Sequence, residues 1–185
     1  MFAPITALVG LTCSGLVSGL TLAYPLLINT HFIDEQGAKI APAALHVNLS
    51  IAQRLTLWER AFKAGFVLPA LSLLSVVTLT TYALTTDASN DKSAFAKRLS
   101  SNWAQRKKLI LASAALTGSV IAFTILAILP TNDKLMALRQ AANNKEPIDV
   151  AQAESLLRKW TQLHNVRVGT AFGGFVLALY SFVVL

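Results

Sequence analysis

The chain is short of charge, of acids and of cysteine. Only 14% of its 185 residues are Asp, Glu, Lys or Arg, against 54% hydrophobic, whereas soluble domains carry nearer to about a quarter charged. This excludes a disordered chain and argues against a water-soluble enzyme. The lone Cys13 excludes intramolecular disulfides, CxxC redox chemistry and cysteine-rich zinc sites. It also excludes a four-cysteine thiol oxidase. Nine acids face 16 bases, a net charge of +7. The bases divide between two groups of connections with no stacking platform among them, so no nucleic-acid partner is expected. They read instead as flanks of membrane spans.

Charge is absent in four long runs. Residues 1–33 carry no Asp, Glu, Lys or Arg, and neither do Ala64 to Thr86, Leu109 to Asn132 or Val168 to Leu185. About 20 apolar residues cross a bilayer core. The expected fold is therefore all-α: an integral membrane four-helix bundle, one domain over 1–185, with spans near 5–29, 58–84, 108–129 and 162–185. The first run lacks the basic n-region of a signal peptide and reads as an uncleaved span. The last helix is expected to start near Pro147 and Asp149 and to run to Leu185, longer than one bilayer, so that it projects from one side.

The connections alternate. The termini and residues 85–107 share one side, which holds the compact Arg106-Lys107-Lys108 cluster. Residues 30–57 and 130–161 share the other, which holds the glycosylation sequon Asn48-Leu49-Ser50. Both features point to a cytoplasmic first side and a luminal second one. An endoplasmic reticulum or other endomembrane location is the expectation.

Polar groups at membrane depth are costly and tend to mark function. Trp160, His164 and Arg167 follow each other at i, i+4 and i+7 and share one face with Ala171. Pro130, expected to end the third helix, stands beside Asn132. Trp58 opens the second span, and Tyr24-Pro25 with Asn29 closes the first. All four helices bring polar or aromatic groups to one mouth, the usual setting of a ligand site in a bundle. Gly10, Ser14, Gly15, Ser18 and Gly19 read as a close-packing helix face.

These residues resemble the anthrone oxygenase family of fungal aromatic polyketide pathways. The resemblance is carried by Gly15, Ser18 and Tyr24-Pro25, by Trp58 followed by Gly65, and by Pro130-Thr131-Asn132-Asp133-Lys134-Leu135. It is carried further by Trp160-Thr161-Gln162-Leu163-His164-Asn165-Val166-Arg167 and by Tyr180-Ser181. It implies conversion of an anthrone to an anthraquinone with O2 as co-substrate and no cofactor. The partners implied are a hydrophobic aromatic polyketide and the lipid bilayer. Within it, His164 is the candidate base, since an imidazole's ordinary pKa suits that task, and Arg167 the candidate anion stabiliser. Trp160, Asn132, Asn165, Trp58 and Tyr24 are candidate substrate contacts. Asn165 is one residue from His164 and points about 100° away.

Two other readings remain open on the residues alone. His164, His31 and His46 fall on one side and could hold copper, iron or haem, although His31 and His46 lack ligand-like spacing. A non-catalytic scaffold or carrier subunit fits the small-residue faces equally well.

Overall fold

The computed structural model describes residues 3–29, 49–86 and 102–184. His31, His46, Asn48 and most of the 85–107 connection lie outside them. Among the described residues the chain is helical, with no strand: α1 (Ala3–Ala23), α2 (Ile51–Ala64), α3 (Val67–Thr85), α4 (Trp103–Phe123), α5 (Leu129–Asn143) and α6 (Val150–Val183). α1 and α4 each continue into a π-helical turn, Tyr24–Ile28 and Thr124–Ile128. Four helical stretches are long and apolar enough to cross a membrane: Ile5–Ile28, Ile51–Thr85, Trp103–Asn143 and Val150–Val183. The all-α membrane bundle read from the charge gaps is therefore the fold.

The helices outrun the charge gaps. α2 begins at Ile51 because Ser50 caps it: its hydroxyl accepts from the Gln53 amide, and the Gln53 side chain accepts from the Ser50 amide at 2.9 Å. Pro130 does not end the third helix. It stands in the first turn of α5, directly after the Thr124–Ile128 turn, and the chain stays helical to Asn143. There the Glu146 amide donates to Ala141 and the Lys145 amide to Ala142, with Lys145 at φ 59°. This tight stop is followed by Asp149, whose carboxylate accepts from the Gln152 amide at 3.0 Å and starts α6.

The described chain forms two compact units. The first comprises Met1–Gly19, Leu68–Ala122 and Val168–Leu185. Its interior is rich in small and hydroxylated residues: Ser14, Ser72, Ser75, Ser113, Thr117 and Ser181 are buried, while Leu8, Leu73, Leu74 and Phe172 face outward. A polar interior under an apolar surface suits lipid rather than water. The Ser75 hydroxyl donates to the Gly10 carbonyl at 3.0 Å, and the Ser113 hydroxyl to the Gly174 carbonyl at 2.6 Å. Glycine permits both approaches.

The second unit comprises Leu20–Val67 and Phe123–Arg167. Its core is aromatic and aliphatic: Tyr24, Leu55, Trp58, Ala61, Ile128, Leu135, Leu157 and Trp160. Ion pairs tie its helices together. Arg54 of α2 meets Glu154 of α6 at 2.9 Å, and Glu59 of α2 meets Arg139 of α5 at 3.0 Å.

A Cβ at Gly174 would stand 2.7 Å from the Thr117 hydroxyl and 3.2 Å from the Ser113 carbonyl, whereas one at Gly169 would meet nothing within 4 Å. Gly174→Ala is expected to cost about 1–3 kcal/mol by overpacking, and Gly169→Ala to be neutral or mildly stabilising. Thermal unfolding in detergent compares them; equal effects would contradict the packing described.

Candidate functional site

Regular helical hydrogen bonding is interrupted three times in the second unit. α1 passes into the Tyr24–Ile28 turn at Pro25, and the second stretch breaks between Ala64 and Val67. The third stretch passes through the Thr124–Ile128 turn just before Pro130. Proline offers no N–H to the carbonyl four residues back and its ring crowds that carbonyl. At membrane depth the released backbone groups must find partners inside the protein. α6 has no such break, and from its buried stripe Ala153, Leu157, Trp160, His164, Arg167 it is His164 that supplies a partner to one of those groups.

The consequence is visible at Thr21, four residues before Pro25. Its carbonyl lies 2.9 Å from Nε2 of His164. On the ring's other side, Nδ1 lies 2.6 Å from an Nη of Arg167. A carbonyl only accepts and a guanidinium only donates. Nε2 therefore carries the proton, Nδ1 presents its lone pair to Arg167, and the imidazole is neutral. His164 is fully buried.

Aromatic rings enclose that imidazole. Trp160 stacks on it at 5.0 Å with planes 22° apart, and Tyr24 covers it at 4.6 Å and 37°. Trp58 meets Trp160 edge-on at 6.4 Å and stacks on Phe62 at 5.5 Å. The Tyr24 hydroxyl donates to the Ala61 carbonyl at 2.6 Å, near the end of α2. Gly65 lets it in: a Cβ there would stand 2.9 Å from that hydroxyl.

Five expected site residues, Tyr24, Trp58, Trp160, His164 and Arg167, thus form one connected cluster. Asn132 is 2% exposed and lies on α5 at i+4 from Ile128 and i−3 from Leu135, both members of the same core. Its Oδ1 and the Trp58 Nε1 are buried with no hydrogen-bond partner among the described residues, as are both polar atoms of the Asn29 amide. Asn165 is not brought into the cluster. It is exposed, because adjacent side chains on a helix diverge by about 100° and His164 takes the inward direction. Sequence reasoning missed the carbonyls of Thr21 and Ala61, although Pro25 signals the first of them.

A cleft of about 430 Å³ opens beside the cluster's helices, lined by Glu59 of α2 and by Asp133, Met136, Ala137 and Arg139 of α5 among others. None of the candidate residues lines it, but Met136 packs against the aromatic core. No group of three His, Cys, Asp or Glu residues suited to a metal occurs among the described residues. Both ring nitrogens of His164 already have protein partners.

A family model described as anthrone oxygenase matches residues 58–177. The chain is 32% identical over 129 residues to the anthrone oxygenase AgnL2 of Paecilomyces divaricatus, covering 68% of this chain and 71% of that protein. No solved structure matches it. The chain belongs to the anthrone oxygenase family.

Gly65→Ala is expected to displace Tyr24 and cost about 1–3 kcal/mol. Adding Tyr24→Phe removes the obstructing hydroxyl, so the pair should show a favourable coupling of roughly 0.5 kcal/mol or more in a double-mutant cycle read by thermal unfolding. Additive losses would mean that the close approach of Gly65 and Tyr24 is not what the substitution disturbs.

Proposed function

Starting from family membership, we propose that this chain oxidises an aromatic polyketide anthrone to the anthraquinone with O2 as co-substrate and without a metal or organic cofactor. It acts as a multi-pass membrane protein of the endoplasmic reticulum or another endomembrane, and takes its flat, apolar substrate from the bilayer. The observation that supports this best is the neutral His164, its lone pair held by Arg167 and its faces covered by Trp160 and Tyr24. It joins a base, an anion-stabilising cation and an aromatic surface in one water-poor place.

The C10 methylene of an anthrone is acidic because its carbanion delocalises onto the ring ketone. When the ketone oxygen draws the Arg167 guanidinium away, Nδ1 of His164 is released to take a C10 proton. Arg167 then stabilises the enolate oxygen. The carbanion passes one electron to O2, and the two radicals combine into a C10 peroxide anion. The imidazolium returns its proton to give the hydroperoxide. Removal of the second C10 proton forms the new carbonyl as the O–O bond breaks, and the departing hydroxide leaves as water. One anthrone and one O2 thus give one quinone and one water.

The remaining contacts follow from unsatisfied groups. The Trp58 Nε1–H can donate to a substrate oxygen and the Asn132 Oδ1 can accept from a phenolic hydroxyl. Trp160 and Tyr24 offer ring faces to the polycycle.

His164→Ala and Arg167→Ala, folded and in membranes, are expected to lower anthrone-dependent O2 uptake by about 10²–10⁴. Asn165→Ala should leave it unchanged, and so should a chelator. Full uptake in either of the first two variants would overturn these roles.

A further inference from the structure

Pro25 touches no reacting atom in the mechanism above, yet its chemistry bears on the one hydrogen bond that orients the base. In a regular helix the amide of residue 25 would donate to the Thr21 carbonyl. Proline has no such amide, and its ring pushes the carbonyl four residues back away from the helix axis. That carbonyl is the acceptor for Nε2–H of His164 at 2.9 Å. The neighbouring residue profits from the same irregularity. Tyr24 opens the π-helical turn, and the Asn29 amide returns to its carbonyl across five residues. Tyr24 thereby lies over the imidazole at 4.6 Å while its hydroxyl reaches Ala61.

We infer that Pro25 is a positioning residue for His164. By withholding an amide from Thr21 and turning its carbonyl outward, it creates the acceptor that fixes the imidazole with Nε2 protonated and Nδ1 facing Arg167. A proline is usually a defect in a helix interior; here the defect in α1 is satisfied by a side chain of α6. That trade accounts for the direction of the ring. With only Arg167 to hold it, the imidazole could rotate about its last side-chain bond and would lose its stacked alignment on Trp160. The structural part of this inference stands by itself; its catalytic consequence rests on His164 being the base proposed above.

The test is Pro25→Ala in the full chain, in detergent micelles, with the histidines labelled with 15N. The amide restored at position 25 competes for the Thr21 carbonyl. In the native protein the His164 Nε2–H proton should resonate far downfield and exchange slowly with water. In Pro25→Ala it should move upfield and exchange much faster, while the melting temperature stays the same or rises because the helix is regularised. A purely structural proline would give the opposite pair, a lower melting temperature and an unchanged ring proton. A second variant carries lactic acid at position 25, which has neither ring nor amide N–H and should keep the native ring signal. An unchanged ring proton in Pro25→Ala would overturn the inference. Turnover is read separately: kcat is expected to fall on the order of tenfold or more with KM little changed, as for a misoriented base. A lost ring signal with undiminished turnover would leave Pro25 as the positioning residue and remove His164 from its role as base.

Discussion

The hydrogen bonds on either side of the His164 ring are the constraint around which the second unit is arranged. In a solvent-poor interior, backbone carbonyls and guanidinium groups must find their hydrogen-bond partners within the protein. A neutral imidazole answers both at once, because one nitrogen donates and the other accepts. Thr21 and Arg167 occupy those two nitrogens. The aromatic rings then close over the faces, and the close approach at Gly65 and the α2 carbonyl at Ala61 hold Tyr24 in place. Removing any one of these parts leaves a buried polar group without its partner or a ring without its contact.

Much of this was legible in the sequence. Four charge-free runs gave the four helices, and the spacing of Trp160, His164 and Arg167 gave their shared face. Both follow from side-chain patterns, which periodicity reads directly. The parts that escaped are those in which backbone atoms act. The Thr21 and Ala61 carbonyls carry no signal in residue type, and only Pro25, counted back four positions, points to the first. Pro130 misled for a related reason. Proline forbids a helix interior but suits a first turn, and the π-helical turn before it lets the chain restart without leaving the helical path. Asn165 shows the limit of adjacency: a neighbour in sequence is not a neighbour on a helix face.

The contrast between the two units bears on function. The first is built from serine, threonine, glycine and alanine, with hydroxyl-to-carbonyl bonds that bring helices close. The second holds the rings around His164 and, among the described residues, the ion pairs and the three breaks in helical regularity. Breaks release backbone groups and so make places where side chains can be oriented without water. The expected chemistry fits the second unit, since a delocalised carbanion needs little beyond a base, a fixed positive charge and a dry, flat surface.

The most direct test of the account is O2 consumption by the purified, detergent-solubilised protein given emodin anthrone. Quinone is expected to form in step with O2 consumed, at a rate proportional to protein and unaffected by chelator. A rate no greater than air oxidation across a panel of anthrones, or activity that disappears with chelator and returns with a metal, would contradict it.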